Sequence, residues 1–310
     1  MPAANKSKEK TLITKPAKEY HAWGQNIYLP GLSGISLHQL LKSFVRQVRR
    51  TSIAERAAAI SFNIFMAIPP VLIFVFTLIP YLPISKQFIR ALFSLIRDIV
   101  PGKQNNTAII QFLYDFLHRP RNGLLSFGLF LALFFSSNAF MGILRSFDKN
   151  YEGFYKRKAF RKRQIALKLT LIVFVLVICC LLLLIAQGAV LKWIGIESSP
   201  LRTVIKNVRW LIIILLVFYS ISFIYRHGPA LRKRWPFITV GSILATTLTI
   251  IATFLVSFWA NHFSNYNKLY GSIGAIFILM SLIYVNALVI LLGFELNVTI
   301  TALKESAKKK

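Results

Sequence analysis

Negative charge is scarce in this chain: 10 Asp and Glu stand against 38 Lys and Arg in 310 residues. Those few carboxylates are mostly scattered through polar segments. They offer little for a metal-dependent nuclease or a carboxylate-pair mechanism. Cysteine is nearly absent too. Cys179 and Cys180 are adjacent inside an apolar run, where neighbours rarely bridge and two thiols make no zinc site. The five histidines (His21, His38, His118, His227 and His262) show no metal-ligand spacing. No nucleophile elbow, phosphate-binding glycine loop or zinc motif is present. The N-terminal stretch "MPAANKSKEKTLITKPAKEY" has no apolar core and is not a secretory signal. These absences argue against an enzyme, a cofactor and a metal.

Apolar residues are abundant, at 55% of the chain. They gather in runs long enough to cross a bilayer, which takes about 20 helical residues. Six stretches qualify, at about 57–79, 123–144, 166–187, 209–225, 237–259 and 272–296. The expected fold is all-α: a polytopic membrane protein with six transmembrane helices. The expected domains are a flexible basic tail over 1–35, a membrane domain over 36–300 and a second basic tail over 301–310. No internal repeat is evident.

The net charge of +28 would suggest nucleic acid for a soluble protein. In a membrane protein it sets orientation and meets anionic headgroups, so no nucleic-acid partner is expected. Of the 38 basic residues, 27 lie in the segments 1–56, 145–168, 226–235 and after 296. The other connections hold 11. The first set is therefore expected on the cytoplasmic side of the membrane, with both termini inside.

Two further segments are amphipathic. In "SLHQLLKSFVRQVRR", Leu37, Leu40, Leu41, Phe44, Val45 and Val48 form one apolar helical face, with Lys42, Arg46, Arg49 and Arg50 around it. Such a helix either lies in the inner interface touching anionic lipid or packs under the bundle. Arg157, Arg161 and Arg163, in the next basic segment, are further candidates for headgroup contact. The long connection over 80–122 predicts a helical hairpin on the outer side, with stops at Pro101-Gly102 and Pro120.

Polar residues within apolar runs are the candidates for function. Glu295 is the clearest, sharing a helical face with Ser281 and Tyr284. It could bind a cation, couple protons or pair with the Arg-rich segments. Ser242, Thr246, Thr249 and Thr253 form a hydroxyl face in the fifth stretch. They either pack helices closely or line a path for a polar or amphiphilic substrate. Asn63 and Pro70 share a face of the first helix, and Asn286 lies within the sixth. Between the fifth and sixth runs, "SNYNKLYGSIGA" supplies Tyr266, Tyr270, Gly271 and Gly274. Its tyrosines suit a headgroup layer and its glycines suit a close helix approach or an outer gate.

Several of these segments resemble the YihY/BrkB family of bacterial inner-membrane proteins, from about Ala54 to Asn297. A tyrosine–glycine motif is similar at Tyr266, Tyr270, Gly271, Ser272, Ile273 and Gly274. A Gly-x-Glu-Leu-Asn motif maps onto Gly293, Glu295, Leu296 and Asn297, and a Tyr-x-x-Gly-Pro element onto Tyr225, Gly228 and Pro229. The chain departs at Val240-Gly241-Ser242, where the family commonly has Pro-Gly-Ala, and at Ser146-Phe147-Asp148, where it has Ala-Leu-Asn. The resemblance implies a transporter or translocase of an envelope lipid or small solute. A non-transporting scaffold that recruits envelope proteins or anionic lipid is the alternative. The family's older label, a tRNA-processing ribonuclease BN, finds no support in the residues.

Overall fold

The computed structural model describes residues 36–78, 81, 122–148, 151, 154–193, 199–262 and 272–308. They form seven helices: α1 Leu37–Arg50, α2 Ile53–Leu78, α3 Asn122–Phe147, α4 Ala159–Trp193, α5 Ser199–His227, α6 Val240–His262 and α7 Ser272–Lys308. Among these residues no strand is formed, and an isolated bridge joins Phe154 to Leu231. The fold is all-helical, as expected. Each of the six apolar stretches lies in one of the helices α2 to α7, overrunning it by at most three residues at an end. Among the described residues, four helical segments are long and apolar enough to cross a membrane: Ile53–Leu78, Leu125–Phe147, Val240–Trp259 and Ile276–Ala307. A shorter apolar segment, Leu211–His227, lies in α5. The hairpin expected over 80–122 and the tail over 1–35 lie outside the described residues, apart from Tyr81 and Asn122. α7 runs on through 301–308 as helix.

Local chemistry sets the joints. Ser36 caps α1, its hydroxyl accepting from the Gln39 N–H at 3.3 Å. Thr51 closes it, donating its hydroxyl to the Gln47 carbonyl at 3.1 Å. Ser52 then takes a left-handed φ of 45°, which turns the chain sharply into α2. Glu55 in the first turn of α2 complements the helix dipole.

Each helix from α2 to α6 packs on the next, and α7 packs back on α2, so the bundle closes as a ring. α1 lies against α7 from outside that ring. The four Lys/Arg-rich segments meet at one end of it. The Tyr155 N–H donates to the Ala230 carbonyl at 3.0 Å, and Trp235 Nε1 donates to Thr301 Oγ1 at 3.1 Å. Packing is densest at this basic end. Phe147 stacks on Phe294 with ring centroids 4.0 Å apart and planes 11° from parallel. Tyr151, Phe154, Tyr225 and Trp235 surround that pair. Every residue from Gly293 to Ile300 is buried. Toward the other end, α6 is largely exposed beyond Ala252, and Ile276 and Phe277 of α7 are exposed as well.

Candidate functional site

The Gly-x-Glu-Leu-Asn stretch of α7 is the hub of the basic end, and each of its polar or small residues has a separate task. Gly293 sets the helix spacing. A Cβ there would lie 2.6 Å from the Gly241 carbonyl oxygen of α6 and 2.5 Å from the Tyr225 hydroxyl of α5. A Cβ on Gly241 would in turn run into the Gly293 carbonyl. The two glycines let α6 and α7 cross with their backbones almost in contact. Lipid offers no hydrophobic drive between helices, so this close packing carries the association. The Tyr225 hydroxyl donates to the Ile290 carbonyl at 2.6 Å, fixing α5 to the same crossing.

Asn297 caps α6. Its Oδ1 accepts from the Gly241 N–H at 2.9 Å, and its Nδ2 donates to Thr239 Oγ1 at 2.9 Å. Thr239 and Ser242 complete the cap reciprocally. The Thr239 N–H donates to Ser242 Oγ at 3.0 Å, and the Ser242 N–H donates to Thr239 Oγ1 at 3.0 Å. The first backbone donors of a helix have no partner within it, and here side chains supply them. Ser242 belongs to this cap.

Glu295 is the centre of the site. It is 0% exposed, and Arg56 of α2 is 8% exposed. Arg56 Nη1 donates to Glu295 Oε1 at 2.6 Å. The Tyr151 hydroxyl, in the α3–α4 connection, donates to the same oxygen at 2.7 Å. Gln47 Nε2 of α1 donates to Oε2 at 3.1 Å. Arg56 also reaches the Ser146 carbonyl and, at 3.4 Å, the Thr51 carbonyl. One carboxylate thus holds α1, α2, the α3–α4 connection and α7 together. Burial, and then the neighbouring Glu295 charge, push the Tyr151 phenol well above its ordinary range. It therefore stays a donor to the carboxylate. Next to this cluster, Asp148 lies 2.9 Å from Lys162 Nζ. The approach is off the hydrogen-bonding direction, so the contact is an ion pair.

Of the three roles the sequence left open for Glu295, the geometry displays pairing with an arginine. The arginine is Arg56, within the first turn of α2, and not one of the later basic connections. Arg56, Gln47, Tyr151 and Thr239 were not among the sequence-derived candidates. Arg56 carries a signal in the sequence: it sits one residue before the apolar run over 57–79.

The remaining candidates are distributed as follows. Thr246 Oγ1 bonds the Ser242 carbonyl at 2.9 Å, and Thr253 is exposed. Asn63 Nδ2 bonds the Ala59 carbonyl at 2.8 Å and lies beside Gly142 of α3, while Pro70 is buried. Asn286 Nδ2 bonds the Leu282 carbonyl at 2.9 Å. Asn286 Oδ1 and Thr249 Oγ1 are both buried without a partner. The antiparallel register that sets Gly241 opposite Gly293 brings these two residues to nearly one depth, since each helical residue rises about 1.5 Å. Gly274 is half-buried at the start of α7. Tyr266, Tyr270 and Gly271 lie outside the described residues.

Lys42, Arg46, Arg49, Arg50 and Arg161 are exposed. Arg157 instead donates to the Gly228 and Pro229 carbonyls at 2.7 and 2.6 Å. Arg163 donates to Asn138 Oδ1 at 2.6 Å and stands over the Phe134 ring. Among the described residues, no three His, Cys, Asp or Glu side chains are grouped to hold a metal ion.

Similarity to known proteins agrees with this architecture. A "Putative ribonuclease-like protein YfkH" of Bacillus subtilis is 29% identical over 246 residues, covering 78% of this chain and 88% of its own. A "UPF0761 membrane protein" of Tolumonas auensis is 26% identical over 268 residues, covering 83% of each. No solved structure matches the chain. The family model described as virulence factor BrkB matches residues 44–310, which include α2 to α7 and all three groups bonded to the Glu295 carboxylate. The chain belongs to the BrkB family of membrane proteins.

Proposed function

We propose that this protein is a transporter or translocase of the bacterial inner membrane, moving an envelope lipid or a small solute. Its basic end faces the cytoplasm, and the Glu295 cluster is its inner gate. One observation carries this reading: a fully buried carboxylate, shared by four separate elements, fastens one end of a helical ring whose other half is thinly packed. An ion pair suits a gate because it is strong when dry and weak once water reaches it. The unpartnered oxygens of Thr249 and Asn286 place polarity deeper in the ring, where a passing polar group would find acceptors. The orientation rests on the positive-inside rule, applied to four basic segments that share one end. The ribonuclease-like name belongs to the Bacillus relative and is not carried over.

The test is flux in proteoliposomes, with fluorescent phospholipid analogues and a panel of small solutes. The wild-type protein should move at least one of them. Glu295→Gln, which weakens the pair without changing shape, should alter that rate at least tenfold. Absence of any flux would sink the reading and favour a scaffold. Full flux in Glu295→Gln would remove Glu295 from the mechanism.

A further inference from the structure

The apolar arc of α1 is wider than the surface that covers it. Leu40 and Phe44 pack on Leu296, Ile300 and Leu303 of α7, and Gln47 points the same way to Glu295. Leu41 and Val45, on the flank of that arc, remain 52% and 47% exposed. Beyond them around the helix come Arg49, Lys42, Arg46 and Arg50, all exposed. None of these four has an ion-pair partner among the described residues. α1 is joined to the membrane-crossing α2 by only Thr51 and Ser52, so it cannot leave the bilayer surface. Uncovered leucine and valine beside a row of cations, held at that level, match the acyl–headgroup boundary of an anionic bilayer.

We propose that α1 senses lipid charge. Lys42, Arg46, Arg49 and Arg50 bind anionic phospholipid headgroups of the bilayer that the bundle spans, and this binding presses α1 onto α7 and keeps Gln47 on Glu295. The lipid binding stands by itself; its effect on flux rests on the gate proposed above. Each cation near an anionic surface strengthens attachment roughly fivefold. Loss of all four should therefore release α1 where loss of one only loosens it.

The experiment is hydrogen exchange over residues 37–50 of the full-length protein in nanodiscs. One set contains phosphatidylcholine alone, the other equimolar phosphatidylcholine and phosphatidylglycerol. Exchange should be at least tenfold slower with phosphatidylglycerol, and the difference should shrink in high salt. The variant carrying Lys42→Gln, Arg46→Gln, Arg49→Gln and Arg50→Gln should exchange at one rate in both. Should that variant fail to fold, Arg46→Gln and Arg49→Gln singly should each cut the ratio roughly fivefold. Gln47→Leu should keep a lipid dependence but reduce it. Equal wild-type exchange in both nanodiscs overturns the proposal, as does protection by inorganic phosphate added to phosphatidylcholine nanodiscs. Lipid-dependent exchange with lipid-independent flux would leave the sensor standing and overturn its link to the gate.

Discussion

At the scale of residues, the Glu295–Arg56 pair decides most. Removing one partner leaves the other charge buried and uncompensated, which costs about 3–5 kcal/mol. Glu295→Ala should lower stability by that amount in detergent unfolding. The double replacement Glu295→Met with Arg56→Met should recover most of the loss, because an apolar pair of similar volume needs no charge partner. Tyr151 gives a separate handle. Its phenol is raised above the ordinary value of 10.0 by burial first and by Glu295 second. A raised folded-state value contributes stability that is fully present below about pH 10 and is lost as the phenol ionises above it. Tyr151→Phe should therefore flatten the alkaline fall in melting temperature above pH 10, relative to wild type. Glu295 was legible in the sequence because a lone carboxylate in an apolar run is expensive. Its partners were not. They lie 239, 144 and 248 positions away, at Arg56, Tyr151 and Gln47, and only the fold brings them together.

At the scale of elements, the α6–α7 crossing is set by what is missing from it. Gly293→Ala would push a methyl against a backbone oxygen and the Tyr225 hydroxyl. Overpacking of this kind costs about 1–3 kcal/mol, and thermal melting should show it. Asn297→Ala removes the cap on α6 and should cost about 1 kcal/mol. Asn297→Asp, which retains an acceptor for the Gly241 N–H, should cost less. The hydroxyl face of α6 was readable from its 4, 3, 4 spacing. Its chemistry was not, because spacing does not reveal that Ser242 caps with Thr239 or that Thr246 bonds one turn back. The amphipathic α1 was equally plain in outline. The sequence left its two roles as alternatives, and the structure packs one flank on α7 while leaving Leu41 and Val45 uncovered.

At the scale of the whole molecule, the described residues of the ring are densely packed and charged at one end and more exposed toward the other. That asymmetry predicts a labelling pattern. In the proposed orientation, and in a background with Cys179 and Cys180 replaced, Thr249→Cys and Ser281→Cys should react with a membrane-impermeant maleimide from the outer side only. Glu295→Gln should admit label from the cytoplasmic side as well. The apolar helices and the grouping of the basic segments were legible in the sequence. The ring closure could not, because it depends on α7 returning to α2. That closure also imposes an order on synthesis. Arg56 and Gln47 are made with the first two helices, but the carboxylate they need is made with the last. At about 5–20 residues per second, the interval is roughly 10–50 s. For that time a half-made chain carries an unmatched arginine at the mouth of its first membrane helix. A product stopped before α7 carries it permanently, and so exposes a mark by which quality control can recognise it.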